Sequence, residues 1–256
     1  MPKPRSRYSA PALEKGIDII ELLADADAGL TLSEISERLN RRMSELFRII
    51  MVMERRGWLQ KHPETSRFSV TYYLLKIVHR STPARSLTAV AAPVMQDLST
   101  QINQSCHLVV RSGMQGLVVL RQENQKRHAN LSVRLGASMN LVSSCSGQVL
   151  LAHMDAAERE QLLRSAPRPR NLTRTKLDGI LSKIGKRGFE IQRSTITAGV
   201  TDISYPIRGF DGSVIAALTI PYLHVFDDSL PTNVEQTRRL LEEAARRISL
   251  DLGWVK

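Results

Sequence analysis

The sequence predicts an α+β chain, in which an N-terminal winged helix-turn-helix is joined by a linker helix to a C-terminal mixed α/β domain. Three features predict it. Before residue 57, apolar residues recur at spacings of three and four in three short successive segments, as in a small helical unit. The period then drops to two in a pair of β-prone runs separated by a turn-rich pentapeptide. Beyond residue 103, strand-like and helix-like stretches follow one another, with Gly and Pro at the joints.

The first helix is expected from Pro11 to Asp27, where Leu13, Ile17, Ile20 and Leu23 form one apolar stripe and Gly29 stops the chain. Thr31-Leu32-Ser33-Glu34 reads as a capping box, in which hydroxyl and carboxylate each satisfy an orphan backbone amide, so a short second helix runs to Leu39. Asn40-Arg41-Arg42 breaks the pattern before Leu46, Ile49, Ile50 and Met53 resume it, and a third helix ends near Arg56 and Gly57. Trp58 to Lys61 and Arg67 to Thr71 bracket His62-Pro63-Glu64-Thr65-Ser66 and close a hairpin, the wing. Tyr72 to His79 is helical, Ser81-Thr82-Pro83 marks a joint, and a helix follows from Ala84 to Gln101. The expected divisions are 1–80 for the winged helix-turn-helix, 81–103 for the linker helix and 104–256 for the second domain.

In that domain, runs at 106–111 and 117–121 make a hairpin around Gly113-Met114-Gln115-Gly116, and Leu131 to Leu135 is expected to add a strand. Helical segments follow at 146–165, with Asp155 and Glu158 as a capping signature, and at 173–187. Strands return at 188–193, 201–208 and 213–222, with Asp211-Gly212 as a turn. A last helix opens at Thr232 and Glu235 and carries Val234, Leu240, Leu241, Ala244, Ile248 and Leu252 on one stripe.

Composition narrows the function. With 42% hydrophobic and 24% charged residues the chain is globular, which excludes fibrous and wholly disordered classes. The longest apolar stretches, such as Val214 to Leu223, fall short of the roughly 18 residues of a membrane span. No apolar signal-peptide core opens the chain, so a cytoplasmic protein without membrane contact is expected. Cys106 and Cys145 give neither a disulfide framework nor metal-ligand spacing. No metal, cofactor or catalytic residue is expected. Cys106 and His107 are strand neighbours that point to opposite faces, and Cys145 and His153 stand about 12 Å apart along a helix.

The net charge of +11 points to a polyanionic partner. From Arg38 to Arg80 there are ten basic residues against Glu45, Glu54 and Glu64. A reader helix packs one face on its neighbour and presents polar side chains from its first turns to base edges. Leu46, Ile49, Ile50 and Met53 supply the packed face, leaving Arg41, Arg42, Ser44, Glu45 and Arg48 toward double-stranded DNA, with Arg48 and Arg42 foremost. Thr31 at the preceding cap and Arg67 on the wing complete the expected DNA-binding set. A solvated charged face is the bland alternative. The order of capped helix, tight turn, amphipathic helix and wing weighs against it. A non-specific architectural DNA binder without a small-molecule input is the other alternative, and the sizeable second domain weighs against that. A further basic stretch, with nine Lys and Arg from Arg164 to Arg193, reads as solvated helix faces.

The run from Ala12 to Ile20 leading to Gly29-Leu30-Thr31-Leu32-Ser33-Glu34-Ile35 resembles the opening of the isocitrate-lyase-repressor (IclR) family of bacterial transcription regulators. So do Arg48-Ile49-Ile50 followed by Glu54, Gly57-Trp58-Leu59, and a wing ending in Phe68-Ser69-Val70. Ser144 to Ala152, Arg187-Gly188-Phe189, and the stretch from Gly199-Val200 to Tyr205-Pro206-Ile207 are similar to the family's second domain. The resemblance implies a GAF-like effector-binding domain, a small-metabolite effector such as an organic or aromatic acid, and a homo-oligomer, dimer or dimer of dimers, reading paired half-sites. By position it places the effector against Ser144, Cys145, Ser146, Val200, Asp202, Thr219 and Pro221. Amides at a helix N-terminus suit a carboxylate. Asp202 calls for a ligand that also carries hydroxyl or amine donors. The chain departs from the usual family pattern at Asn40, Val142, Gln148, Ser194 and Thr195.

Overall fold

The computed structural model describes residues 10–80, 82–123, 131–166, 169, 172–225 and 230–255, which divide into two compact units between Arg85 and Ser86. The first unit holds α1 (Pro11–Ala24), α2 (Leu32–Arg38), α3 (Met43–Arg55), β1 (Leu59–Lys61), β2 (Phe68–Val70) and α4 (Tyr73–Arg80). The capping box forms as read: the Thr31 hydroxyl accepts from the Glu34 amide and the Glu34 carboxylate accepts from the Thr31 amide. β1 and β2 pair antiparallel as the wing, and Leu30 adds a short bridge to Phe68. Gly29 makes this bridge possible. It sits at φ +66°, and a Cβ there would lie 2.6 Å from the Phe68 carbonyl oxygen.

The apolar stripe of α1 differs from expectation. Ile19 and Leu23 are buried, whereas Leu13 and Ile17 are 65% and 46% exposed. The reason is Gly16, whose missing side chain faces Ile49 and Met53 of α3 and turns the Gly16-Ile19-Leu23 row inward. A count of apolar residues passes over a glycine that marks a contact. The helix also ends at Ala24 rather than running to Asp27. In α3, Leu46 and Ile50 are fully buried, with Ile49 and Met53 partly so, as expected.

The second unit is a six-stranded sheet with helices on both faces. Its strands are β3 (Cys106–Ser112), β4 (Gln115–Gln122), β5 (Ser138–Asn140), β6 (Glu190–Arg193), β7 (Val200–Arg208) and β8 (Val214–Leu223), in spatial order β5-β4-β3-β8-β7-β6 with antiparallel pairings. On one face, α5 (Thr82–Ile102) and α9 (Val234–Asp251) bury Met95, Leu98, Ile102, Leu241 and Ile248 against Leu108, Ile203, Tyr205, Leu218 and Ile220. From Leu87 onward α5 is therefore a layer of this core. On the other face, α6 (Cys145–Ala152), α7 (Ala156–Ser165) and α8 (Arg174–Arg187) cover Val109, Val118 and Ala217.

Two further expectations change. Leu131 to Leu135 is not a strand: Gly136, at φ +79°, and the Arg134–Ala137 turn intervene, leaving Leu135 62% exposed, and the strand begins at Ser138. The cap of α9 is Asn233 with Gln236, one residue beyond Thr232 and Glu235, because the Thr232 carbonyl and hydroxyl are engaged by Tyr222 and Thr237.

α6 is seated by one absent atom. A Cβ at Gly147 would lie 2.4 Å from the Leu141 Cα and 2.5 Å from its carbonyl oxygen, so only glycine lets this helix rest on the turn before it. Asn140 Oδ1 shapes that turn by accepting from the amides of Val142 and Ser143 at 2.9 and 3.0 Å. Gly147→Ala is expected to cost about 1–3 kcal/mol by displacing α6, read as a lower thermal midpoint. Gly185→Ala, mid-helix with open space around its Cβ position, should be neutral or raise the midpoint through helix propensity.

Candidate reading surface and ligand cavity

α3 begins at an extended Arg42, directly after a turn in which Asn40 holds φ +50° and the Ser36 hydroxyl donates to the Arg41 carbonyl at 2.6 Å. Asn is one of few side-chain-bearing residues that adopt this conformation readily. Arg41, Arg42, Ser44, Glu45 and Arg48 are all exposed, and Ser44 and Arg48 lie on the helix side opposite Leu46 and Ile50. Glu45 has one carboxylate oxygen engaged within the fold. Lys15 Nζ of α1 holds it at 2.7 Å, and this ammonium, with Arg42 and Arg41 nearby, keeps its carboxyl below the usual range.

Thr31 and Arg67 are likewise engaged within the fold. The Arg67 guanidinium donates to both Glu34 carboxylate oxygens at 3.0 Å and to the Gly29 carbonyl at 2.8 Å, while the Thr31 hydroxyl donates to Glu34 Oε2 at 3.0 Å. Glu34 thus ties the wing to the start of α2. Hydrogen bonds from Thr31, with Arg67 adding to them, hold its carboxyl below the ordinary value. Sequence reasoning passed over Phe47 and Met51, which share α3 with the arginines and border a groove toward the wing. In sequence they look like any apolar residue of a helix, and only the facing angle separates them from the core.

In the second unit, a cavity of about 290 Å³ opens between the sheet and the start of α6. Ser144, Cys145, Ser146, Asp202, Thr219 and Pro221 line it, as do His107, Ser132, Val133, Met139 and Ser194–Thr197. Val200 does not. It is buried at the start of β7, and its carbonyl accepts from the Ser194 amide at 2.9 Å, which fixes the cavity rim. Strand pairing brings the wall together: His107 faces Thr219, Thr219 faces Ser204, and Asp202 faces Pro221. Ser204 and Thr219 hydroxyls bond each other at 2.9 Å.

Two polar atoms on this wall stand out. His107 Nε2 and Ser132 Oγ are buried without a hydrogen-bond partner, a state that folded chains avoid unless something else supplies the bond. Burial drives the His107 imidazole down to about 4, so it is neutral at physiological pH. Burial raises the Asp202 carboxyl, against a hydrogen bond from Ser194. Ser144 caps α6, accepting from the Gly147 amide at 3.1 Å, which leaves the Cys145 and Ser146 amides ahead of the first intrahelical bond. The cysteines are poor nucleophiles: burial raises Cys106 to about 12, and burial followed by Asp202 and Glu190 raises Cys145, whose Sγ lies against the carbonyls of Glu190 and Asp202. Gln148 Nε2 donates to the Val142 carbonyl at 3.0 Å, so two of the departures from the family pattern pair with each other. Among the described residues no group of three His, Cys, Asp or Glu is placed to hold a metal ion, and no helix is long and apolar enough to cross a membrane.

Comparison with known proteins agrees with both halves of this description. The family model described as the IclR helix-turn-helix domain matches residues 12–63, and that described as the bacterial transcriptional regulator IclR C-terminal domain matches residues 79–250. Among curated relatives, the HTH-type transcriptional regulator KdgR of Escherichia coli (strain K12) is 25% identical over 253 residues, covering 96% of this chain and 94% of its own. The HTH-type transcriptional repressor AllR of Klebsiella pneumoniae is 24% identical, covering 98% and 93%. Among solved structures, an IclR homolog from Microbacterium hydrocarbonoxydans complexed with 4-hydroxybenzoate is 28% identical, with a TM-score of 0.78 over 94% of this chain and 98% of that one. The Thermotoga maritima IclR shares the fold, with a TM-score of 0.71 at 23% identity. A matched reader domain, a matched sheet domain and full-length regulator relatives lead to one conclusion: the chain belongs to the IclR family of bacterial transcriptional regulators.

Proposed function

We propose that α3 enters the DNA major groove with Arg48 and Arg42 at base edges, while Arg41 and Ser44 contact the flanking backbone, and that a small hydroxylated organic acid in the second unit modulates this binding. Arg matches guanine edges bidentately and Ser bonds either base or phosphate. Thr31 and Arg67 act through the fold, by holding the wing in place. Two copies of the chain bind together, since paired half-sites about 34 Å apart require two readers. The protein works in the cytoplasm and carries out no catalysis, in keeping with two protonated, enclosed thiols.

The observation that carries the ligand reading is the buried, unpartnered pair of His107 Nε2 and Ser132 Oγ on the cavity wall. A carboxylate suits the Cys145 and Ser146 amides, while a ligand hydroxyl donates to Asp202 or bonds His107. The lining among described residues includes no Lys or Arg, so a doubly charged acid beside Asp202 is disfavoured. The bound 4-hydroxybenzoate of the Microbacterium relative belongs to this chemical class.

Arg48→Ala is expected to cost about 1–3 kcal/mol at a site selected from random duplexes and to relax base preference there, measured by fluorescence anisotropy. Unchanged affinity and footprint would take α3 out of the groove. Asp202→Leu and Ser146→Val should each abolish the response of operator binding to hydroxybenzoates while leaving ligand-free binding intact. A retained response moves the ligand elsewhere. Because the folded His107 titrates near 4 and a solvated imidazole near 6.5, the unfolded chain carries the extra proton between those values. Stability should therefore climb as pH rises through this window and level off above it, by up to about 3 kcal/mol from His107. His153 is also depressed, chiefly by burial, and adds in the same direction. Chemical denaturation against pH should show a shallower climb in His107→Asn.

A further inference from the structure

Three apolar side chains of α3, Met43, Phe47 and Val52, stand exposed without charge or hydrogen bonding to explain them, and Phe47 is the aromatic one. Phe47 is 49% exposed, one turn from Ser44 and Met51, on the flank of α3 between its buried side at Leu46 and Ile50 and its bare side at Ser44 and Arg48. Keeping an aromatic ring in water is unfavourable, and the helix would form as readily with a polar residue there. The ring borders a groove whose other apolar walls are Leu32, Met51 and Phe68, with Lys61 and Glu54 as its charged residues. Arg41, Arg42 and Arg48 stand on the same exposed end of the helix. The exposed arginines of α3 on a chain of net charge +11 favour a polyanion over a second copy of the same surface.

The major groove offers an aromatic ring one apolar group, the C5-methyl of thymine. Resting on the placement of α3 in that groove, we infer that Phe47 is a specificity-determining residue that reads thymine through this methyl. Charge then supplies affinity and register, while Phe47 supplies discrimination that a phosphate contact cannot give.

The test uses the full chain and a site selected from random duplexes, in which each thymidine is replaced singly by deoxyuridine, a change that removes only the methyl group. The wild-type protein should lose about fourfold in affinity at one thymidine per half-site, the worth of one buried methyl-sized group. Phe47→Ala should bind the thymidine and deoxyuridine duplexes alike, and Phe47→Leu should keep part of the difference. Circular dichroism of both variants should match wild type, since the side chain lies outside the core. A deoxyuridine penalty undiminished in Phe47→Ala, or no penalty at any position in wild type, overturns the inference. Arg48→Ala in the same panel separates two failures. If it weakens binding while deoxyuridine costs nothing, only the role of Phe47 is wrong; if it changes nothing, α3 is not the reader and the inference falls with it.

Discussion

Covering the central strands on both faces is the constraint from which the second unit follows. β3 and β8 alternate strictly: Cys106, Leu108, Leu218 and Ile220 turn toward α5 and α9, and His107, Val109, Ala217 and Thr219 turn the other way. With water excluded on both sides, every polar side chain on these strands needs an internal partner. Ser204 and Thr219 find one in each other. His107 on β3 does not, nor does Ser132 in the loop before β5, and both line the cavity that α6 leaves above the sheet. The cavity is thus where helix coverage of the sheet stops short, and its chemistry is set by which polar atoms the strands leave there.

The first unit answers a different demand. A reader helix has to be fixed rigidly by one side while the other stays bare, and a small domain has little core with which to do so. Gly16 lets α1 approach α3 closely, and Lys15, one residue earlier, reaches Glu45 on that helix. Glu34 serves twice, closing the cap of α2 and receiving the wing arginine. Glu34 and Glu45 are thereby engaged by cations of the fold, beside the exposed Arg41, Arg42 and Arg48.

What was legible in the sequence follows from locality. The Thr31–Glu34 box, the Asp155 cap and the Asp211-Gly212 turn depend on residues within a few positions, and the structure reproduces them. Non-local contacts were misread. Leu131, Val133 and Leu135 alternate like a strand, but the Gly136 amide bonds the Val118 carbonyl and turns the chain first. Thr232 and Asn233 both satisfy a capping pattern, and only contacts with Tyr222 and Thr237 decide between them. Six of the seven residues assigned to the ligand by family resemblance line the cavity, whereas His107 escaped because a lone histidine within an apolar strand looks like ordinary core. The rim residues 194–197 show no periodicity from which to read them.

That rim and any occupant of the cavity share one carboxylate. Ser194 is tied down by its amide to the Val200 carbonyl, its hydroxyl accepts from the Ile196 amide and lowers the Asp202 carboxyl against burial, and the chain from 194 to 197 edges the cavity. An occupant bonding Asp202 competes for the same carboxylate that steadies the edge, so its arrival loosens one anchor as it forms its own contact.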